Sequence, residues 1–318
     1  RDAQESRGLG DVYKRQTAVI ASLFELSKEE TINALSQVFV DGQSLRTYRH
    51  SPNAGPRKSW AAGDATSRAL QLVILTMKGQ IGYPSAITAP TWGFKDVLFK
   101  GNDFQINQDF KSYVMENVLF KISFPAEFHA QTAVEAAVTL HPEVISKLEE
   151  IERIEITTHE SAIRIISKEG DLNNPADRDH CIQYMVAIGL LKGDLVAEDY
   201  EDDVAADPRI DSLRKKMIIK EDKRYSEEYL EADKRSIANS MQIYFKDGSS
   251  TKNIEVEYPI GHRRRREEGI PVLISKFEEN LKTQFSADRV EKIMKICEDQ
   301  NNLESLKVTD FMELLIKE

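Results

Sequence analysis

The stretch MQIYFKDGSSTKNIEVEYP, residues 241–259, carries the clearest structural signal in the sequence. Apolar and polar residues alternate on both sides of the Asp247-Gly248 pair, as they do in strands with one buried face. Glycine readily adopts the positive φ that a tight hairpin turn requires. The stretch therefore predicts a β-hairpin whose apolar positions are Ile243, Phe245, Ile254, Val256 and Tyr258.

Helical patterns lie on both sides of this hairpin. Apolar residues recur at helical spacing through residues 17–80 and again from Gly269 to the end of the chain. Ser27 is followed three residues later by Glu30, which is the sequence of a capping box at a helix start.

Between these helical regions the pattern is mixed. A helix is predicted over residues 125–140, strand-like alternation over 153–166, and a further helix over 175–192 with Pro175 near its start. The acidic run at 194–207 is typical of a solvated face. A helical body that gives way to a small sheet-containing lobe, and then resumes, predicts an α+β fold.

Composition excludes several classes of protein. The chain has 318 residues with 43 Lys and Arg against 53 Asp and Glu, a net charge of −10, which argues against a general nucleic-acid binder. Its longest apolar run, Met185–Leu191, is far short of a membrane span. Two cysteines, Cys181 and Cys297, exclude a disulfide framework and are too few to hold an iron–sulfur cluster. No cluster has metal-ligand spacing.

The first sixteen residues, RDAQESRGLGDVYKRQ, differ in character from the rest of the chain. They contain few apolar residues and show no helix or strand period, whereas the helical pattern is established from Thr17. Either they form a flexible native terminus, or they are a foreign tail joined to a truncated protein. We expect the second.

Four stretches are unusually rich in groups that can bind or transform a small molecule. The first, residues 44–65, places many cations on a segment broken by Gly and Pro. Arg offers a two-pronged fork to carboxylates and Lys a mobile charge, so this segment suits a polyanionic ligand. A solvent-facing basic loop is the alternative. Its candidate residues are Arg46, Arg49, His50, Arg57 and Lys58, with Asp64 nearby.

The second stretch, residues 120–137, has Lys121, Glu127 and His129 around the start of a predicted helix. A helix N-terminus favours anions, so a substrate carboxylate could bind there, although Glu127 is also an ordinary first-turn residue.

The third stretch, residues 173–187, holds Arg178, His180 and Tyr184, which do not all share one helical face. Tyr184 is either an acid or hydrogen-bond donor in a site, or a half-buried tyrosine with a satisfied hydroxyl.

The fourth stretch, residues 258–271, contains His262 and four consecutive arginines, Arg263 to Arg266. Such a run can mark a patch for nucleic acid or anionic lipid. Glu267, Glu268 and the net charge of the chain argue against that interpretation, and His262 is a candidate for either a ligand-binding or a structural role.

These stretches together resemble the MmgE/PrpD family. The resemblance extends over residues 17 to about 275 and is closest to the dehydratase branch. It is carried by VDGQSLRTYRHSPNAGPRKSWAAGDATSRA, GYPSAITAPTWGFKDV, SYVMENVLFKISFPAEFHAQTAVEAA, NNPADRDHCIQYMVAI and VEYPIGHRRRREEGIP.

The resemblance implies an all-helical body and a smaller α+β lid with the active site between them. Residues 17–115 would belong to the body, residues 116–257 to the lid, and residues 258–318 would return to the body. Family members are longer at the N-terminus, so we expect a body that lacks its first helices.

The resemblance also implies roles for single residues. The decarboxylase branch has functional lysines that match Lys58 and Lys121, and a functional tyrosine that matches Tyr184. That branch has a histidine directly after its FPA motif, where this chain has Glu127 and then His129. The difference favours dehydration over decarboxylation.

The implied reaction is the dehydration of 2-methylcitrate, with citrate as a second candidate substrate, without a metal or other cofactor. Lys58, Arg57 and Lys121 would stabilise developing charge, helped by Arg178. His129, Glu127 or Tyr184 would transfer protons, and Arg46, Arg49, His50, His180 and His262 would help to bind the substrate. A cis-aconitate decarboxylase and a non-catalytic fragment are the alternatives. A homodimer in the cytoplasm, or in the mitochondrial matrix of a eukaryote, is expected, without nucleic-acid or membrane partners.

Overall fold

The computed structural model describes residues 9–41, 48, 55–103 and 120–316, without the side chains of residues 9–12 and of Lys58. Contacts between Cα atoms divide the chain into two units. Unit one comprises Arg1–Tyr113, Ser167–Cys181 and Tyr200–Asp203, and unit two comprises Val114–Ile166, Ile182–Asp199 and Val204–Glu318.

The regular secondary structure in the described residues of unit one is helical. Its core is formed by the first three helices, which bury mainly small and β-branched residues such as Ala34, Val38, Ala65 and Val73. The helices are α1 (Leu9–Leu23), α2 (Lys28–Val40), α3 (Arg57–Met77), α4 (Phe94–Phe99) and the short α7 (Pro175–Arg178).

The predicted capping box is confirmed at the start of α2. The Ser27 hydroxyl accepts the Glu30 N–H at 3.2 Å, and the Glu30 carboxylate accepts the Ser27 N–H at 2.8 Å. The two bonds satisfy backbone donors that a helix start would otherwise leave unpaired.

Helix α1 begins eight residues earlier than the sequence pattern predicts. Tyr13 is buried, and its hydroxyl donates to Asp41 at 3.2 Å. Thr17, four residues later, donates its hydroxyl to the Tyr13 carbonyl at 2.9 Å, and Ile20 continues the same buried face. The expectation of no helical period over residues 1–16 is therefore wrong for residues 9–16. Tyr13 is the one aromatic residue in this polar stretch, and one such residue is too weak a signal to reveal the helical period.

Unit two is built around a four-stranded sheet with strand order β2-β1-β3-β4. Strand β1 pairs in parallel with β2 and antiparallel with β3, and β3 pairs antiparallel with β4. The strands are β1 (Ile151–Thr158), β2 (Met217–Glu221), β3 (Asn239–Phe245) and β4 (Ile254–Val256). The many helices of both units, together with this small sheet in unit two, confirm the predicted α+β class.

Residues 241–259 form the predicted hairpin. Gly248 has φ +86°, in the region that favours glycine, and the Phe245 N–H donates to the Ser249 carbonyl at 2.9 Å across the turn. Met241 and Ile254 pair across the two strands. Strand β4 ends at Val256, so Tyr258 lies beyond the ladder.

Two secondary-structure predictions need correction. The strand-like alternation after Thr158 is a helix, α6 (Glu160–Ile166), which begins where the His159 ring nitrogen Nδ1 accepts the Ala162 N–H at 3.3 Å. The helix predicted over 175–192 is two helices, α7 and α8 (Ile182–Lys192). Pro175 is at the start of α7 as predicted, and the Asn174 side chain caps that short helix.

Helix α5 (Gln131–Val144) packs against α8 in the core of unit two. The contact is close because Gly189 of α8 leaves room for Ala137; a Cβ at Gly189 would lie 3.0 Å from the Ala137 Cβ. Nearly every residue of α8 is buried. The remaining helices are α9 (Asp202–Ala205), α10 (Pro208–Arg214), α11 (Lys223–Leu230), α12 (Arg266–Lys282), α13 (Ala287–Glu298), α14 (Gln300–Ser305) and α15 (Val308–Glu313).

The C-terminal helices confirm the helical pattern predicted from Gly269. Residues 258–318, which the resemblance assigns to the body, group with unit two. The finer domain boundaries that the resemblance implies stay a prediction. None of the helices in the described part of the chain is long and apolar enough to cross a membrane.

Candidate active site

The site is centred on the sequence FPAEFHA at the entrance to α5 in unit two. Residues Phe128–Ala130 form a turn of 3₁₀ helix that leads into α5. Glu127 caps this turn, because its carboxylate accepts the His129 N–H at 2.8 Å. The cap brings the side chains of Glu127 and His129 to the same side of the turn.

Buried amide side chains hold the turn in place. Gln131 donates to the carbonyls of Phe124 at 2.8 Å and Ala126 at 3.0 Å. Asn239, on strand β3, donates to the His129 carbonyl at 2.9 Å. Because these bonds attach the turn to the sheet and to α5, the backbone at His129 is rigidly placed.

The His129 ring has a partner on each nitrogen. Its Nδ1 lies 2.8 Å from a Glu127 carboxylate oxygen, and its Nε2 lies 3.1 Å from the Tyr229 hydroxyl. Tyr229, on α11, stacks on His159 with ring centroids 4.4 Å apart and an angle of 14° between the planes. The His129 and His159 centroids are 5.1 Å apart. Four side chains from three separate parts of the chain therefore form one cluster: Glu127 and His129 from the turn, His159 after β1, and Tyr229 from α11.

Burial sets the electrostatics of this cluster. The His159 side chain is fully buried, and its Nε2 has no hydrogen-bond partner among the described residues. Desolvation, with a smaller contribution from positive charge on His129 when that ring is protonated, lowers the pKa of His159 to about 3, against the opposing effect of Glu127. His159 is therefore neutral at physiological pH.

Glu127 is the member of the pair with the better access to solvent. Its side chain is 14% exposed, whereas that of His129 is 1% exposed. A carboxylate hydrogen-bonded to a buried imidazole is a pair that can accept or donate a proton. Of the two side chains, the Glu127 carboxylate is therefore the one that is partly open to solvent.

Two lysines lie close together at the segment that precedes this turn. Lys276, on α12, donates its ammonium group to the Lys121 carbonyl at 2.9 Å. Burial, followed by the positive charge of Lys121, lowers the pKa of Lys276. Two neighbouring cations repel each other, and a bound carboxylate would relieve that repulsion.

His262 lies next to the segment that carries Lys121, and its contacts are those of a structural residue. It is buried, its ring stacks on Tyr258 at 4.4 Å, and its Nδ1 accepts the Arg264 N–H at 3.2 Å. Burial and the neighbouring arginines lower its pKa to about 4. His262 therefore caps the 3₁₀ turn Arg263–Arg265 as a neutral imidazole.

The arginine run bonds to the protein itself. Arg263 and Arg264 both donate to the Asp233 carbonyl, at 3.1 and 2.9 Å. Arg265 bridges Glu135 at 2.8 Å and Glu268 at 2.6 Å, and these carboxylates raise its pKa. These bonds give the run a structural role in unit two.

Tyr184 lies in the interior of unit two. Its side chain is buried, and its hydroxyl donates to the Asp199 carbonyl at 2.6 Å. Asp199 is itself buried, accepts the Val196 N–H at 2.8 Å and pairs with Lys192. The acidic run is thus not solvated at every position, because Asp199 organises its loop from within.

Arg178 and His180 belong to unit one. Arg178 is buried, donates to the Tyr200 carbonyl at 2.6 Å and pairs with Asp202 at 2.7 Å. The His180 Nδ1 is 2.9 Å from the Asp179 carboxylate. Both side chains therefore contact acceptors of their own unit.

Arg57 begins α3, also in unit one. It pairs with Asp64 at 3.2 Å and lies over the Trp60 ring at 4.4 Å. The other residues predicted in this basic segment lie outside the described residues: Arg46, Arg49, His50 and the side chain of Lys58.

Of the predicted site residues, the structure brings Glu127 and His129 into direct contact. Sequence reasoning missed His159, Tyr229 and Lys276. His159 follows a buried strand directly, which is a detectable signal, whereas Tyr229 and Lys276 are indistinguishable from other residues of amphipathic helices. Within the described ranges, no group of His, Cys, Asp and Glu is arranged to hold a metal ion.

Comparison with known proteins decides the family. A model of the MmgE/PrpD C-terminal domain matches residues 124–300, and a model of the N-terminal domain matches residues 16–107. The chain belongs to the MmgE/PrpD family. The predicted resemblance is confirmed, and the site at Glu127 and His129 lies in the region of the C-terminal domain.

Two curated relatives share more than half of their aligned residues with this chain. The 2-methylcitrate dehydratase of Escherichia coli (strain K12) is 55% identical over 303 residues, which are 94% of this chain and 63% of the relative. The protein named "2-methylcitrate dehydratase, mitochondrial" of Yarrowia lipolytica is 56% identical over 305 residues, 95% of this chain and 58% of the relative. The chain thus spans about three fifths of the length of these curated relatives.

Proposed function

We propose that this protein is a hydro-lyase that dehydrates 2-methylcitrate to 2-methyl-cis-aconitate, and also accepts citrate. The observation that carries the proposal is the 55% identity to a 2-methylcitrate dehydratase over 94% of the chain. The Glu127–His129 pair supports it, because dehydration needs a group that transfers a proton.

The reaction makes three demands on a site. The carboxylates of the substrate must be neutralised, a base must take a proton from the carbon next to a carboxylate, and an acid must help the hydroxyl group to leave as water. The carbon-bound proton is weakly acidic because its removal adds charge to that carboxylate. Cations held at the carboxylate stabilise this developing charge by about 3–4 kcal/mol for each well-placed donor.

We assign proton transfer to Glu127, with His129 acting through it. Glu127 is the more exposed of the two, and its carboxylate lies 2.8 Å from the His129 ring. Tyr184 is less suited to this role, because its buried hydroxyl already donates to a backbone carbonyl.

We assign carboxylate binding to Lys121 and Lys276. The Lys276 ammonium bonds to the Lys121 backbone, so the two cations can approach the same anion. The family resemblance adds Lys58, Arg57 and Arg178 as charge-stabilising residues, and Arg46, Arg49, His50, His180 and His262 as binding residues. Those assignments remain proposals.

The direct test incubates this chain with 2-methylcitrate, and separately with citrate, and follows the ultraviolet absorbance of the conjugated alkene. The Escherichia coli relative serves as the positive control. We expect absorbance to rise and the product mass to fall by one water. Loss of carbon dioxide instead would indicate a decarboxylase, and no turnover of either acid would indicate a non-catalytic fragment; both results contradict the proposal.

Assembly and compartment are also proposals. A homodimer follows from the family resemblance, and sedimentation of the purified chain tests it; a monomer at micromolar concentration would contradict it. A location in the cytoplasm, or in the mitochondrial matrix of a eukaryote, accords with the mitochondrial name of the Yarrowia lipolytica relative.

A further inference from the structure

We infer that Tyr229 is a positioning residue: its hydroxyl donates to Nε2 of His129 and holds that ring as the neutral Nδ1–H tautomer facing Glu127. The inference rests on the proposed function to the extent that Glu127 transfers the proton. It assigns a role to Tyr229, which lies outside every stretch that the sequence singled out.

The direction of the hydrogen bonds follows from what each group can donate. An ionised Glu127 carboxylate can only accept, so the His129 Nδ1 at 2.8 Å must carry the proton. A neutral imidazole then has a lone pair on Nε2, and the Tyr229 hydroxyl at 3.1 Å is placed to donate to it. The chain of donation runs from Tyr229 through His129 to Glu127.

The surroundings favour the neutral ring over the imidazolium. The His129 side chain is 1% exposed, and burial disfavours its charged form. The groups that face it among the described residues include Glu127, which favours a positive charge, Tyr229 and the neutral ring of His159. A hydroxyl that donates to Nε2 shifts the balance towards the neutral form, because the imidazolium has no lone pair to accept that proton.

His159 fixes the position of Tyr229. The two rings stack with centroids 4.4 Å apart, and His159 is itself held where its Nδ1 accepts the Ala162 N–H. Tyr229 also packs with Phe128 and Ile237. The hydroxyl is therefore aimed by packing before any ligand arrives.

The protonation state of His129 affects the strength of Glu127 as a base. A neutral donor at 2.8 Å orients the carboxylate without adding a full positive charge beside it. An imidazolium in the same place would stabilise the carboxylate more strongly and weaken its basicity. By keeping His129 neutral, Tyr229 leaves Glu127 better able to take a proton from carbon.

The test is ¹⁵N NMR of the histidine side chains, which reports the tautomer and titration of each ring without requiring turnover. The chain has six histidines, and a His129→Gln variant assigns the signal of interest. In the unchanged protein we expect His129 to be protonated on Nδ1 and bare on Nε2. An imidazolium, or an Nε2–H tautomer, at pH 7 would overturn the inference, and this measurement needs no variant at Tyr229.

The Tyr229→Phe variant removes the hydroxyl and keeps the ring. We expect the pKa of His129 to rise by about one pH unit, the equivalent of one hydrogen bond. Tyr225→Phe is the matched control, because Tyr225 is buried on the same helix four residues earlier. An unchanged or lowered pKa of His129 in Tyr229→Phe, or an equal rise in Tyr225→Phe, would contradict the inference.

A kinetic measurement separates this inference from the proposed function. If the chain turns over 2-methylcitrate, Tyr229→Phe should lower kcat several-fold with little change in KM, and should move the acidic limb of the pH profile upwards. An unchanged kcat and pH profile would contradict the positioning role. Absence of turnover in the unchanged protein would overturn the proposed function alone, because the NMR result would still decide the tautomer.

Discussion

The Tyr229 hydroxyl lies 3.1 Å from Nε2 of His129, although the two residues are 100 positions apart in the chain. Helix α11 supplies one and the turn before α5 supplies the other. This contact, together with the bond from His129 to Glu127, joins a local sequence motif to a buried hydrogen-bonded cluster in which Glu127 is partly exposed. We expect the stability of unit two and the proposed chemistry to depend on that arrangement.

Acid should destabilise unit two through His159. Its pKa is about 3 in the folded protein and near 6.5 when unfolded, so the unfolded chain binds more protons below pH 6.5. Stability is therefore retained above pH 6.5 and falls as pH decreases, by up to about 1.4 kcal/mol per pH unit. Urea denaturation of His159→Phe, which keeps an aromatic ring, should show a shallower fall from about pH 6.5 to 4.5. Equal slopes would contradict this assignment.

The Asn239 side chain should contribute substantially to the free energy of unfolding, because it anchors the turn that carries His129. It donates to the His129 carbonyl at 2.9 Å and to the Thr132 hydroxyl at 2.7 Å, both buried. Asn239→Ala leaves these acceptors without that donor and should cost about 2 kcal/mol in the free energy of unfolding. Asn253→Ala, in the exposed loop of the hairpin, is the control and should cost little. Similar losses in a denaturant titration would show that the turn is not anchored by Asn239.

Alanine substitutions at Gly261 and Gly63 should change the free energy of unfolding in opposite directions. A Cβ at Gly261 would lie 1.7 Å from the Phe120 carbonyl oxygen, so Gly261→Ala must displace the segment that carries Lys121. We expect a loss of more than about 2 kcal/mol in the free energy of unfolding. Gly63, inside α3, has no atom within 4 Å of that position, and Gly63→Ala should stabilise by about 0.5–1 kcal/mol. Thermal or chemical denaturation measures both, and a neutral Gly261→Ala would contradict the close approach.

Lys276 should contribute to binding a tricarboxylate. Lys276→Met removes the ammonium group beside Lys121 and should raise the Kd for citrate at least ~10-fold by calorimetry, as expected for a lost charged hydrogen bond. Lys282→Met, on the same helix, is the control, because Lys282 pairs with Glu278 at 2.9 Å. Equal affinities of the two variants would remove Lys276 from the proposed site.

Local sequence rules predicted those elements whose causes are local. The hairpin at Asp247-Gly248 depends on glycine and strict alternation, and the start of α2 depends on Ser27 and Glu30, three residues apart. Glu127 and His129 lie two residues apart, so their contact also has a local cause, although their proposed role in a site stays a prediction.

Residues whose roles depend on distant partners were not predictable. Tyr229 contacts His129 across 100 positions of the chain, and Lys276 meets Lys121 across 155. The segment after Thr158 was assigned as a strand because isoleucines at 163, 165 and 166 fit alternation, while the cap by His159 carries no strong sequence signature. The proposed reaction rests on the family resemblance, and the proposal of Glu127 rather than Tyr184 for proton transfer rests on the exposure of Glu127 and the hydrogen bond of Tyr184.

The central claim is that Glu127 transfers the proton in the dehydration reaction, and turnover of 2-methylcitrate by Glu127→Gln tests it most directly. The amide keeps the shape of the side chain and removes its basicity, so kcat should fall by about 10²–10⁴-fold. Glu143→Gln, exposed on the adjoining helix, should match the unchanged protein. A Glu127→Gln variant that retains the kcat of the unchanged protein would contradict the account.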